Sequence, residues 1–185
     1  MKIWENKKRD DLAGLVGYKG RNSRETLQGE SFPVHVEEST LGGLYKAGFF
    51  GETTLIYRTD VLKRHLFPEF PGEKFVPEAV IYDEIDAEYK LSVVPRVFTI
   101  SRYQPEGLTR NIGRLREKNP QGWLYYYQRR MEREPKGILR YKYIAHGICF
   151  TWKLGQNIWK TLPVSKWEIA AAFPAAVALR LIGKM

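Results

Sequence analysis

The chain has 185 residues, 43% hydrophobic and 28% charged, a balance that buries a core and excludes intrinsic disorder. Its one cysteine, Cys149, excludes an internal disulfide and a cysteine cluster for structural zinc; it fits a reducing compartment and reads as a small buried residue on a helix face. The net charge of +9 is one-sided: residues 1–101 carry 14 Lys/Arg against 16 Asp/Glu, whereas residues 102–160 carry 13 against 4. A near-neutral half followed by a basic half points to an anionic partner: membrane headgroups, nucleotide phosphates or nucleic acid.

Met1-Lys2-Ile3-Trp4 runs into charge rather than an apolar core, so no signal peptide is expected. Leu12 to Tyr18 reads as a short buried strand closed by a turn at Gly17 and Gly20, whose spacing matches no phosphate loop. Residues 21–35 are polar with scattered Gly and Pro, a long connection of the kind that often lies beside a substrate. A short helix is expected from Glu37-Glu38-Ser39-Thr40 to Tyr45 or Lys46, with Leu41, Leu44 and Tyr45 on one face. Thr53 to Arg58 is β-rich, and Asp60 is placed to cap a short helix through Val61, Leu62 and Arg64. Beyond Glu78, Ile81, Ile85 and Tyr89 recur every four residues as in an amphipathic helix. Leu91 to Ile100 is a strand, with Pro95 moving it towards a sheet edge. The remainder is helical: Leu108 to Lys118 capped by Thr109, a helix opened by Asn119-Pro120 and stopped by Pro135, and another opened by Gly137. The apolar tail from Trp167 to Ile182, interrupted by Pro174, is too short to span a bilayer; it packs on the domain or lies in a membrane interface.

Chemistry concentrates in Gly72-Glu73-Lys74-Phe75-Val76-Pro77-Glu78. Glu78 follows a proline at a helix start, where backbone N–H groups favour negative charge, and a carboxylate held there suits a general base for a hydroxyl. Its structural alternative is a first-turn acid that serves only its own helix. Glu73 either orients an acceptor or pairs with Lys74 in the loop. His35, His65 and His146 have no metal-ligand spacing and read as structural.

This stretch, with Gly51-Glu52 through Arg58, Asp60-Val61-Leu62, Phe67-Pro68, Glu106-Gly107-Leu108-Thr109 and the Lys118-Asn119-Pro120 and Gly122 run, resembles bacterial family 2 glycosyltransferases over most of residues 10–150. The resemblance implies a partial GT-A-like mixed α/β sheet with flanking helices in residues 1–104, followed by a helical, basic C-terminal region in 105–185. It implies a nucleotide-sugar donor, a glycan or lipid-linked hydroxyl acceptor, and a role in cell-surface polysaccharide or glycan synthesis. Glu78 falls where relatives carry the second member of an acidic pair, the catalytic base; here the first member is Pro77 and the second is Glu rather than Asp. Glu73, Lys74, Arg58, Arg102 and Tyr103 are the expected substrate-side residues. The family's Asp-X-Asp motif, which holds Mg²⁺ or Mn²⁺ and the donor diphosphate, is absent, the nearest run being Asp83-Glu84-Ile85-Asp86, read as a solvated helix face. The chain therefore reads as the second half of such an enzyme, inactive alone if the first half is missing.

Two non-enzymatic readings stand beside it. Arg110 to Arg140 interleaves arginine with Trp123 and Tyr125 to Tyr127, as single-stranded nucleic acid binding requires, but no nucleic-acid motif accompanies it. The same basic helices, with the apolar tail as a partial anchor, suit an anionic membrane better than nucleic acid. The expected location is the cytoplasm, free or at the inner face of the membrane.

Overall fold

The computed structural model describes residues 5, 9–102 and 111–183. Two compact units divide the chain, one from Met1–Leu66 and Ile81–Gln104, the other from Phe67–Val80 and Pro105–Met185. The segment 67–80, expected with the α/β half, thus groups with the helical one.

The first unit is mixed α/β. Strand β1 (Leu12–Gly20) is apolar at odd and even positions alike and is buried on both faces, as a central strand must be. β2 (Glu38–Ser39), β3 (Thr53–Tyr57) and β4 (Lys90–Ile100) complete a four-stranded sheet in the order β2-β4-β1-β3. β1 is antiparallel to β3 and parallel to β4, and β2 is antiparallel to β4. β1 runs straight through Gly17, which pairs with Thr54, so the expected turn there is not formed. At Gly14 a Cβ would lie 1.9 Å from the Ile56 carbonyl oxygen, which explains why the β3 crossing takes glycine.

β4 lies between β2 and β1 in the strand order, but around Pro95 it has β1 alone beside it, the edge-like position expected for a proline. The β1–β4 register jumps from Val16↔Val93 to Tyr18↔Val97, so Pro95 sits in a bulge, and β2 pairs β4 only at Leu91 and Ser92. A bulge accepts a residue that cannot donate to the ladder.

Helix α1 (Leu41–Lys46) starts later than expected, because Glu38 and Ser39 join the sheet. Thr40 caps it through the Gly43 amide, and the Asp86 carboxylate accepts from the Leu41 and Gly42 amides at 3.0 and 2.7 Å. Tyr45 turns outward, away from the buried Leu41 and Leu44. α2 (Thr59–Leu62) has Arg58, not Asp60, at its cap position. α3 (Ala79–Glu88) buries Ile81 and Ile85 as its period predicts.

The second unit is helical: α4 (Ile112–Lys118), α5 (Pro120–Arg133), α6 (Ile138–Lys153), α7 (Ile158–Thr161) and α8 (Lys166–Leu181). The expected cap Thr109 lies outside the described residues. Met131, Ile144, Ile148, Ile169 and Ala176 are wholly buried where α5, α6 and α8 meet, so cutting any of the four large ones to Ala should cost about 2–5 kcal/mol. The Cys149 thiol is buried there too, donating to the Ala176 carbonyl, and burial pushes it up to about 11. α8 is continuous through Pro174, whose ring faces outward, and Ser165 and Glu168 form its capping box.

One side chain ties three of these helices together. Arg140 of α6 donates to Glu168 Oε1 of α8 at 2.8 Å and to the Met131 and Glu134 carbonyls at the end of α5. Cations are favoured at helix C-termini, and the pair is half-buried, so it is worth more than a surface ion pair. Arg140, with Ser165, lowers the Glu168 carboxyl to about 2.

Two groups make this unit acid-sensitive over different ranges. Glu168 ordinarily titrates near 4.5, so its contribution is complete above that pH and drains away as pH falls towards 2. His146 is lowered from 6.5 to about 4 by burial and by Arg116 and Lys142, so between those values the unfolded chain takes up a proton that the folded one refuses. In thermal melts from pH 7 to pH 2.5, His146→Gln should flatten the loss of stability between pH 6.5 and 4.5. Arg140→Gln should flatten it below pH 4.5 and cost about 1–3 kcal/mol at neutral pH.

Candidate functional site

Helix α5 begins with a proline, which has no N–H, so its first free donors are the amides of Gln121 and Gly122. Both are met from a distance in sequence. Glu73 Oε1 accepts from Gln121 N at 2.6 Å and Oε2 from Gly122 N at 2.8 Å. A carboxylate at this end also opposes the positive pole of a fourteen-residue helix.

Asn119 supplies the second tie. Its side chain does not cap α5; instead Oδ1 accepts from the Lys74 amide at 2.8 Å while Nδ2 donates to the Leu115 carbonyl at 2.8 Å. Asn119 is buried, so both polar ends need partners, and each has one. Gly122 permits the close approach. A Cβ there would lie 2.6 Å from the Phe75 carbonyl oxygen and 3.2 Å from Val76. Phe70 against Tyr125 and Phe75 against Trp123 complete the contact. Residues 70–76 are thereby bound along the opening turns of α5.

Glu78 emerges from this bound segment. Pro77 is buried, the Val80 amide donates to the Pro77 carbonyl at 3.0 Å, and Glu78 is the exposed residue directly before α3. It is accessible to a hydroxyl from solvent, and its backbone is anchored on both sides.

The other expected site residues have varied surroundings. Glu73 is engaged with the α5 amides rather than paired with Lys74, whose side chain is exposed and whose amide is held by Asn119. Arg58 makes a two-pronged bond to Asp60, at 3.1 and 2.6 Å, and its remaining nitrogen faces the carbonyls of Arg9, Asp10 and Leu12. That pairing holds the Asp60 carboxyl below its ordinary range. Arg102 is exposed just past β4, and Tyr103 lies outside the described residues. Glu73, Lys74 and Glu78 share one segment of the helical unit, while Arg58 and Arg102 belong to the α/β unit.

Among the described residues no three His, Cys, Asp or Glu side chains gather into a metal-sized cluster. Asp86 of the Asp83–Asp86 run is no solvated acid but the cap of α1, and Glu84 lies 3.9 Å from His65. The described residues therefore offer no ligand set that fits Mg²⁺ or Mn²⁺. Comparison with family models, curated proteins and solved structures finds no match.

Sequence reading identified Asn119 as a helix start but not as a partner of Lys74, because that contact spans 45 residues. Helical Gly→Ala ordinarily gains about 0.5–1 kcal/mol. At Gly122 the sign should reverse, because the new methyl meets a carbonyl oxygen, and Glu73→Ala should cost about 1–2 kcal/mol, with Glu73→Gln recovering part of it. Urea denaturation of the three variants measures this; a Gly122→Ala chain as stable as the parent would mean that residues 70–76 do not lie on α5.

Proposed function

We propose that the chain carries the acceptor-activating part of a glycosyltransferase with a GT-A-like sheet. Glu78 takes the proton of an acceptor hydroxyl as that oxygen bonds to the anomeric carbon of a nucleotide-activated sugar. The bond from that carbon to the diphosphate oxygen breaks, and the nucleoside diphosphate leaves with the electron pair. One observation carries the reading: Glu78 stands at the start of α3 directly after a segment whose backbone is anchored by the Glu73 and Asn119 contacts. A base must be within reach of its proton and held there, and rigid support of this kind is what positioning requires. The resemblance of Gly72–Glu78 to family 2 transferases supplies the reaction class. Glu73 then acts as a positioning residue, because its oxygens already hold α5.

The test is turnover of a panel of sugar nucleotides with simple glycoside acceptors, in Mg²⁺ or Mn²⁺. Glu78→Gln should lower kcat by about 10²–10⁴-fold with the melting temperature unchanged. Equal, measurable rates for Glu78→Gln and the parent chain overturn the assignment.

A second reading concerns location and rests on α8. One face of this helix is buried through Ile169, Ala172 and Ala176, while Trp167, Phe173, Val177 and Leu181 point outward. Trp159 is exposed on α7, and Lys160, Lys166 and Arg180 flank the apolar strip. No helix among the described residues is long and apolar enough to cross a membrane. We infer that this face lies flat on an anionic bilayer, with its side chains among the headgroups and its cations on phosphate. Each buried large side chain is worth about 1.5–3 kcal/mol. Trp167→Ser with Leu181→Ser should therefore lower partitioning onto phosphatidylglycerol vesicles more than tenfold, read by co-sedimentation. Binding that is unchanged in the double variant, or that favours single-stranded DNA over vesicles, refutes it.

A further inference from the structure

The helical unit holds a solvent-open cavity of about 860 Å³ that the transferase reading does not use. This volume is that of a small-molecule site. Its lining is asymmetric in chemistry. Arg116 of α4 and Lys142 of α6 bring two cations, and no carboxylate among the described residues lines it. The Arg116 guanidinium, partly buried, rests on the Trp123 ring at 4.8 Å with its Nε–H buried and without an acceptor, while Lys142 is exposed. His146 on the same wall is held neutral by burial and by these two cations. An anion would offset the repulsion between the two cations.

The remaining wall is apolar. Ile112, Leu139 and Leu179 line it, and their chain neighbours Ile138, Leu181 and Ile182 are 91%, 82% and 60% exposed. Solvent-facing aliphatic side chains next to such a cavity suit an alkyl chain.

The aromatic residues do not offer a stacking platform for a nucleobase. Trp123 and Tyr127 are buried, one under Arg116 and the other stacked on His146 at 4.9 Å and 7°. Tyr126 and Tyr143 are each covered by Arg130, at 5.4 and 5.9 Å. Base recognition needs an open ring face, and these faces are already engaged within the protein.

We propose that this cavity, formed by α4, α5, α6 and the end of α8, binds a phosphate monoester of an aliphatic chain, with the phosphate on Arg116 and Lys142 and the chain on Ile112, Leu139 and Leu179. The ligand is a phosphorylated amphiphile, either prenyl-type or glycerolipid, and the site is independent of Glu78.

Isothermal calorimetry on the full chain, with all probes below their micelle concentrations, tests this. The probes are farnesyl monophosphate, dihexanoyl phosphatidic acid, farnesol, inorganic phosphate and AMP. At least one of the two phosphorylated amphiphiles should bind about tenfold or more tightly than farnesol, inorganic phosphate and AMP, since charge and chain act together. Whichever amphiphile binds better identifies the source. Arg116→Gln and Lys142→Gln should each weaken that binding by about tenfold or more, while Lys136→Gln, an equal charge change on a residue outside the lining, leaves it unchanged. Lys142→Gln keeps the Trp123 contact, so it decides the matter if Arg116→Gln misfolds. Glu78→Gln should bind as the parent does. Inorganic phosphate or AMP binding as tightly as the amphiphiles, or Lys142→Gln indistinguishable from Lys136→Gln, overturns the proposal.

Discussion

The Glu73 carboxylate on the first two amides of α5 is the contact on which the most distinctive part of this chain depends. It joins residues 48 and 49 positions apart and meets three demands in one place. The open amides of a proline-led helix gain acceptors, the helix pole gains a counter-charge, and the loop before α3 gains a fixed conformation. Asn119 and Gly122 make that contact possible, one by holding the Lys74 amide and the other by having no side chain in the way of Phe75. Two motifs far apart in the chain, Gly72–Glu78 and Asn119–Gly122, are therefore halves of a single feature.

The helical unit shows how a strongly basic segment can fold around aromatic residues. Its arginines are not spread evenly in solvent. Arg116 lies over Trp123, Arg129 over Tyr125, Arg130 over Tyr126 and Tyr143, and Arg180 over Trp152. Each guanidinium covers an aromatic face with its planar side while keeping part of its charge near water. The alternation of Arg with Trp and Tyr, which in the sequence resembles a nucleic-acid surface, is thus largely internal packing. Arg140 differs from the rest, since it faces a carboxylate and carbonyls at the junction of α5, α6 and α8.

Helix and strand positions were largely legible because they follow from local pattern. The apolar run of β1, the Asn119-Pro120 start of α5 and the four-residue spacing in α3 each state their own conformation. Departures came where a distant partner decided the outcome. Glu38 and Ser39 extend because β4 offers them a ladder, and β4 continues through Pro95 because a bulge there needs no donor. Asp86 looked like a solvated acid until α1 presented its amides.

The candidate site divides along the same line. Pro77 beside Glu78, and the helix that follows, could be read from six or seven adjacent residues, because proline stereochemistry and helix amides act over one turn. That Glu73 is a helix cap, that Lys74 is held through its backbone and that Arg58 is occupied by Asp60 and three carbonyls follow from hydrogen bonds, some spanning more than forty residues. Covalent neighbours determine which conformations a segment can adopt. Only the folded chain determines which of its polar groups are already satisfied and which remain available for chemistry.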